Sequence, residues 1–370
     1  MSGTISLLRK FLYVATAFIA STAYAQTSAS TLLVLAKSDN TVAIVDPATL
    51  QVLARASAGP DPHEIVASDD GKFAYISNYG GSDSDLHTIS VVDLVAQKAL
   101  PPIDLGGLHS AHGLDFAGGK LYFTAETNKV IGRYDPASQR VDWILGTGQD
   151  RTHMIAVSKN LDQIITSNVN SGTISIIEHI AQRTGGSGPP PGGSAGSPNA
   201  GGPPSQGPER TPGGPRLTWE VTNVPAGNGV EGFDVSPDGK EIWAANARDG
   251  TVTIIDVGNK KATQTIPIPV KGANRLKFTP DGKLALISGL GAGAAGISLV
   301  VMDASTRKEV KQLNLGGGAA GILINTDGSR AYVAVSTNDK VAVVDLKTLE
   351  VVGQISAGKQ PDGLAWAVRK

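Results

Sequence analysis

The stretch GFDVSPDGKEIWAANARDGTVTIID, residues 232–256, holds three short apolar runs separated by tight turns. In the first turn, SPDG, the Asp-Gly pair supplies the positive backbone angles of a two-strand connection, and the run EIWAAN follows at once. An Asn-led turn then leads into TVTIID, which alternates and ends on an acid. No 3.6-residue apolar period runs through the segment, so it reads as consecutive β-hairpins.

The unit recurs. Acid-ended runs appear as NTVAIVD at Asp46, HTISVVD at Asp93, NKVIGRYD at Asp135, GTISIIE at Glu178, GTVTIID at Asp256, GISLVVMD at Asp303 and DKVAVVDL with Asp345. Before six of them stands a run closed by a turn, clear in GFDVSPDGK, RLKFTPDGK and GILINTDGSR and degenerate in EIVASDDGK, GLDFAGGK and MIAVSKNLD. A period of about 40–50 residues marks a propeller or solenoid. Each repeat supplies four strands, here A (innermost), B, C (acid-ended) and D. The first strand, TLLVLA, is of type B, and the last, GLAWAV, is of type A. The expected fold is therefore all-β: a seven-bladed β-propeller of four-stranded antiparallel blades, closed by the C-terminal strand pairing into the first blade.

The segments KFAYISNYGG, EIWAANARDGTVTIIDV and AYVAVSTNDKVAVVDLKTLEVVGQISAG resemble the YVTN family of β-propeller repeat proteins, and more distantly the lactonase-like seven-bladed propellers. The resemblance covers nearly all of the chain after its first residues. It implies the propeller fold; for activity it implies a range, because such families include binding proteins, surface proteins and enzymes.

Arg9 and Lys10, the apolar run FLYVATAFIA and Ala23-Tyr24-Ala25 form the charged, apolar and small-x-small parts of a secretion signal. Residues 1–25 are thus expected to be removed, leaving a periplasmic or secreted propeller over 26–370 that is not an integral membrane protein. Residues 183–216, rich in Gly, Pro and Ser, interrupt one blade between strands C and D and read as a disordered insertion. The net charge of −1, with Lys and Arg scattered, argues against a nucleic-acid partner. Expected partners are a small-molecule ligand or another secreted protein. With no cysteine, a bound metal would take imidazole, carboxylate or carbonyl ligands.

In a propeller the start of strand A lines the mouth of the central channel. That position reads His63, His112, His153, Glu231, Asn274, Ala320 and Asp362 around the seven repeats. Three of the chain's 6 histidines stand there in consecutive blades. His63, His112 and His153 are candidate ligands of one Zn, Cu or Fe ion, with Glu231 as a further ligand or general base. His109 approaches from the preceding loop; Asn274 and Asp362 complete a ligand-binding rim, with Arg248 as the one fixed cation near it. Asn78, Tyr79, Asn168, Asn170 and Asn246 read as turn residues between B and C. The repeated acids ending strand C read as acceptors within the turn that follows. GAGAAG at 291–296 opens into a strand and not a helix, so no nucleotide cofactor is expected, and GGGAA at 316–320 reads as a glycine turn. No GxSxG elbow is present. These features point to a binding module acting through the histidine-lined mouth, or alternatively to a metal-dependent lactonase or esterase-like hydrolase using the same residues.

Overall fold

The computed structural model describes residues 30–81, 84–181, 217–291 and 296–370. They form seven four-stranded antiparallel sheets, each in the spatial order A-B-C-D. Blade 5 is typical: A is Val230–Val235, B is Glu241–Asn246, C is Thr251–Asp256 and D is Lys261–Pro267. The expected closure is present. Pro361–Val368 pairs with Ser30–Ala36 in register Leu32↔Trp366 and Leu33↔Ala365, so the last strand is strand A of the first blade.

The alternating runs explain where the core sits. Strands B and C are covered on both faces, and Trp243, Phe123 and Ile76 are fully buried within them. D strands alternate between half-buried and exposed residues, as in Arg140–Gly146 at the rim. The apolar side chains collect in seven layers, each sandwiched between two neighbouring blades. One layer joins Trp243 and Ile254 of blade 5 to Phe278 and Ile287 of blade 6. The layer joining Leu33 of blade 1 to Ile76 of blade 2 shows that the ring has no gap at its seam.

Six of the repeated acids do what the sequence suggests. Asp46, Asp93, Asp135, Asp256, Asp303 and Asp345 each accept a backbone N–H two or three residues on, as Asp256 Oδ1 does from Asn259 at 2.8 Å. Glu178 departs from the pattern. Its strand continues to Ala181 and pairs with Leu217–Pro225, so no tight C–D turn follows, and Glu178 binds Lys260 and Gln163 instead.

The asparagines closing strand B also do more than turn the chain. Asn78, Asn168 and Asn246 are fully buried. Asn78 Nδ2 donates to the Ala58 carbonyl, while its Oδ1 accepts from Thr88 and Ser90, bracing three strands. The secretion signal, the insertion itself and residues 292–295 of the glycine segment lie outside the described residues. No helix among the described residues is long and apolar enough to cross a membrane.

Trp243→Ala removes the largest fully buried side chain from the layer between blades 5 and 6, and is expected to destabilise the protein by about 3–5 kcal/mol. The midpoint of urea unfolding reads this directly; a loss under about 1 kcal/mol would mean that the blade interface is not the core.

Candidate functional site

A bulge at the start of strand A places the ring residues. In blade 2, Pro62 faces Asn78 and Ile65 faces Ile76, so His63 and Glu64 together oppose Ser77. Blades 3, 4 and 5 repeat the two-against-one count at His112-Gly113, His153-Met154 and Glu231-Gly232. Such bulges re-aim side chains, here toward the channel. The freed amides are caught by hydroxyls of strand B: Gly113 N donates to Thr124 Oγ1 at 2.9 Å and Met154 N to Ser167 Oγ at 3.2 Å. The same hydroxyls donate onward to the next ring residue's carbonyl, Thr124 to His153 and Ser167 to Glu231. His153 is therefore held by its own blade and by the one before it.

All seven ring positions line one cavity of about 300 Å³, shared with Lys37, Tyr79, Arg151, Arg275, Leu290, Ser336 and Gln360. Two expected members stand elsewhere. His109 lies outside this lining, with Nδ1 3.2 Å from the Asp85 carbonyl and its ring against His87. Arg248 is exposed and donates to Asn170 at 3.1 Å. The cations of the mouth are Arg151, Arg275 and Lys37, not Arg248.

The three ring histidines differ in state. His153 is bracketed by carboxylates: Nδ1 meets Glu126 Oε1, and Nε2 lies 2.8 Å from Glu231 Oε2. Burial disfavours its charge, yet Glu231 and Glu126 outweigh burial and raise its pKa. His63 stands more loosely between Asp61 at 3.4 Å and Asp362 at 3.5 Å. His112, between them, has no carboxylate. Its ring stacks on His153 at 3.6 Å and lies 5.2 Å from His63, with Tyr79 edge-on at 4.7 Å. Burial and its charged neighbours push its pKa well below the ordinary value, so His112 is neutral. Its Nδ1 is buried without a hydrogen-bond partner.

Two ionic networks surround these rings. Arg151 reaches Glu126 at 3.4 Å and Glu231 at 3.3 Å, and Tyr79 donates to Glu126 at 2.7 Å. Burial opposes ionisation of Glu231, but His153 and Arg151 hold its pKa down to about 2. On the other side, Arg275 of blade 6 pairs with Glu64 of blade 2, spanning the channel beneath the mouth. Burial raises the pKa of Asp362.

Sequence reasoning missed Glu64, Glu126, Arg151 and Arg275. Glu64 and Arg275 follow ring residues where four other blades have glycine, a departure visible in the aligned repeats. Arg151 stands two residues before a ring position and has φ 56°, as Asp61 does with 43° and Gln360 with 52°. Glycine takes the equivalent place at Gly229 and Gly272, so a side chain there carries a backbone penalty of roughly 1–2 kcal/mol. Three such side chains converge on the mouth.

His112, Glu126 and His153 offer ligand atoms that all lie within 4.8 Å of one another and could hold a metal ion. This group has Glu126 where the sequence suggested His63 and Glu231. The donor chemistry fits: His112 is neutral with a free nitrogen, and His153 presents its other ring nitrogen to a carboxylate, as metal-bound histidines do. Metal binding there would exchange the His153–Glu126 contact for ligation.

No family model matches the chain, and no curated protein matches it. Solved structures share its fold. A protein of unknown function from Desulfotomaculum acetoxidans is 12% identical with a TM-score of 0.68, over 92% of this chain and 99% of that one. A protein described as a "putative 6-phosphogluconolactonase" from Bacteroides uniformis is 13% identical with a TM-score of 0.65, over 91% and 99%. Hydrazine synthase of Kuenenia stuttgartiensis is 16% identical with a TM-score of 0.61, over 82% and 89%. At these identities the likeness is one of fold.

The two buried histidines give opposite pH signatures in chelator-treated protein. His153, with a raised pKa, contributes stability that is full below its unfolded value of 6.5 and is lost as pH rises through the folded value. His112, with a lowered pKa, contributes stability that is full above 6.5 and is lost as pH falls below it. His112→Gln is therefore expected to flatten the decline in stability between pH 6.5 and 5, and His153→Gln to flatten the decline above 6.5. Urea unfolding at pH 5, 6.5 and 8 measures both; equal slopes in the two variants would refute the assignment.

Proposed function

We propose that the protein is a binding module whose ligand site is the channel mouth, and that the ligand is a small hydroxyl- and carbonyl-bearing molecule. The observation that carries this reading is His112, a neutral imidazole with an unpartnered nitrogen among side chains that are otherwise paired. A buried polar group without a partner costs about 1–3 kcal/mol, and it persists where binding supplies what folding does not. An unprotonated Nδ1 would accept from a ligand hydroxyl, and Nε2–H would be left as a donor suited to a carbonyl oxygen. Glu231 and Asp362 accept hydroxyl hydrogens, and exposed Leu290 offers an apolar wall. About 300 Å³ lies at the small end of ligand pockets. The reading includes membership of the YVTN-type propellers and export to the periplasm or beyond, supported by the strand pattern and the N-terminal residues.

Two observations favour a second reading, a metal-dependent lactonase or esterase. One is the His112–Glu126–His153 group, which would hold a Zn, Cu or Fe ion. The other is the fold shared with a protein described as a lactonase. The ion would polarise a carbonyl, Arg151 would hold Glu231 ionised beside it, and His153 would keep that carboxylate oriented.

Calorimetric titration of polyols, sugar lactones and sugar acids tests both. His112→Ala is expected to weaken binding by about tenfold or more while the fold survives, about 1.4 kcal/mol for one lost hydrogen bond. Equal affinity in the two proteins would remove the mouth as the ligand site. Elemental analysis of protein purified without a histidine tag decides the second reading. Near-stoichiometric metal, lost in His112→Ala, together with lactone hydrolysis lost in Glu231→Gln, would establish the hydrolase.

A further inference from the structure

Every cation of the mouth named above is paired without any ligand. Four cations face it: Lys37 pairs with Asp61 at 3.5 Å, Arg151 and His153 share Glu126 and Glu231, and Arg275 takes Glu64. With Asp362 added, the carboxylates outnumber the cations. Five of these six pairings join residues of adjacent blades. The exception is Glu64–Arg275, whose partners stand three blades apart and meet across the channel.

Arg275 lines the cavity and is 7% exposed, and its Nη1 donates to the carbonyl and Oδ1 of Asn274 at 3.2 and 3.1 Å. Its guanidinium is thus fixed in the mouth, with Nη2 left to meet an anionic oxygen. Glu64 Oε1 already takes its Nη2. We propose that Glu64 is an internal counter-anion that sets the charge selectivity of the mouth, neutralising Arg275 so that uncharged hydroxylated ligands are accepted and anions refused. The inference rests on the mouth being the ligand site. It follows from the burial of the pair: with Glu64 in place an incoming anion meets no free cation and loses its own hydration. Without Glu64, the same guanidinium would be a desolvated cation beside an open cavity with no carboxylate in direct contact, only the fields of Asp362 and Glu231, and a small anion would be its natural partner.

Acetate is the probe. Full-length Glu64→Ala is melted in about 0.1 M sodium acetate and in sodium chloride of equal ionic strength, and acetate is expected to raise its Tm by about 3 °C or more over chloride. Wild type should differ by less than about 1 °C between the salts, because its site is filled. Glu64→Ala/Arg275→Met, which removes both charges, should also ignore acetate. Should Glu64→Ala not fold in chloride, its refolding yield in acetate against chloride gives the same answer. A variant indifferent to acetate, or a wild type stabilised as strongly as the variant, overturns the proposal. Titration of wild type with sorbitol separates this from the function reading. Acetate rescue with no sorbitol bound would leave Glu64 in its role and remove the hydroxylated ligand.

Discussion

The site depends on how closely the inner strands approach. A Cβ at Gly113 would overlap the carbonyl oxygen of His153, one at Gly232 that of Asn274, one at Gly321 that of Asp362 and one at Gly363 that of His63. In four blades the residue after the ring position thus lies in backbone contact with the next blade, which only glycine permits. This close approach keeps the channel narrow enough for an arginine of one blade to reach a glutamate three blades away. It also removes the charged groups from bulk water, so each must find a partner within the ring.

Three levels of side chain build the mouth on this frame. The ring residues sit in bulges of strand A. Lys37, Tyr79, Glu126 and Ser336 stand one residue beyond strand B in their blades, Leu290 lies within the end of its own strand B, Leu284–Gly291, and Asp61, Arg151 and Gln360 stand two residues before the ring. The last level adopts left-handed backbone at non-glycine residues. Strain of this kind persists when the surrounding structure enforces it and clusters where side chains serve function. Ser110, at the same level with φ 56°, faces Thr127 instead of the mouth, which shows that the backbone alone does not aim the side chain.

Repeats made the fold legible. A period near 45 residues, turns of the DG type and a chain running from strand B to strand A leave little choice but a ring closed on itself. The ring positions were legible for the same reason, since aligned repeats become equivalent places in space. What escaped was every charge outside that column. Glu126 follows Ala125 where blades 2, 4 and 5 close strand B with asparagine, so nothing in its own segment marks it as reaching His153. Arg248 misled because a loop residue near the mouth in sequence terms proved exposed, while Arg275 looked like an ordinary strand residue and proved buried. A column of residues can be read from a repeat; side-chain reach across a channel cannot, because it depends on the diameter that the glycines set.

The difference among the three histidines is where fold becomes chemistry. Equivalent backbone positions would give equivalent side chains if position were all that mattered, yet His153 is held charged by two carboxylates and His112 is held neutral beside it. The cause is the neighbouring columns: blade 3 supplies Glu126 to the histidine of blade 4, blade 5 supplies Glu231 from the other side, and no blade supplies an acid to His112. Stacked at 3.6 Å, the charged ring makes protonation of the neutral one still harder. One imidazole is thus kept as a neutral group with an open valence, in the middle of a charged mouth. That is an unusual thing for a fold to maintain without use, and it is as suitable for a ligand's hydroxyl as for a metal ion.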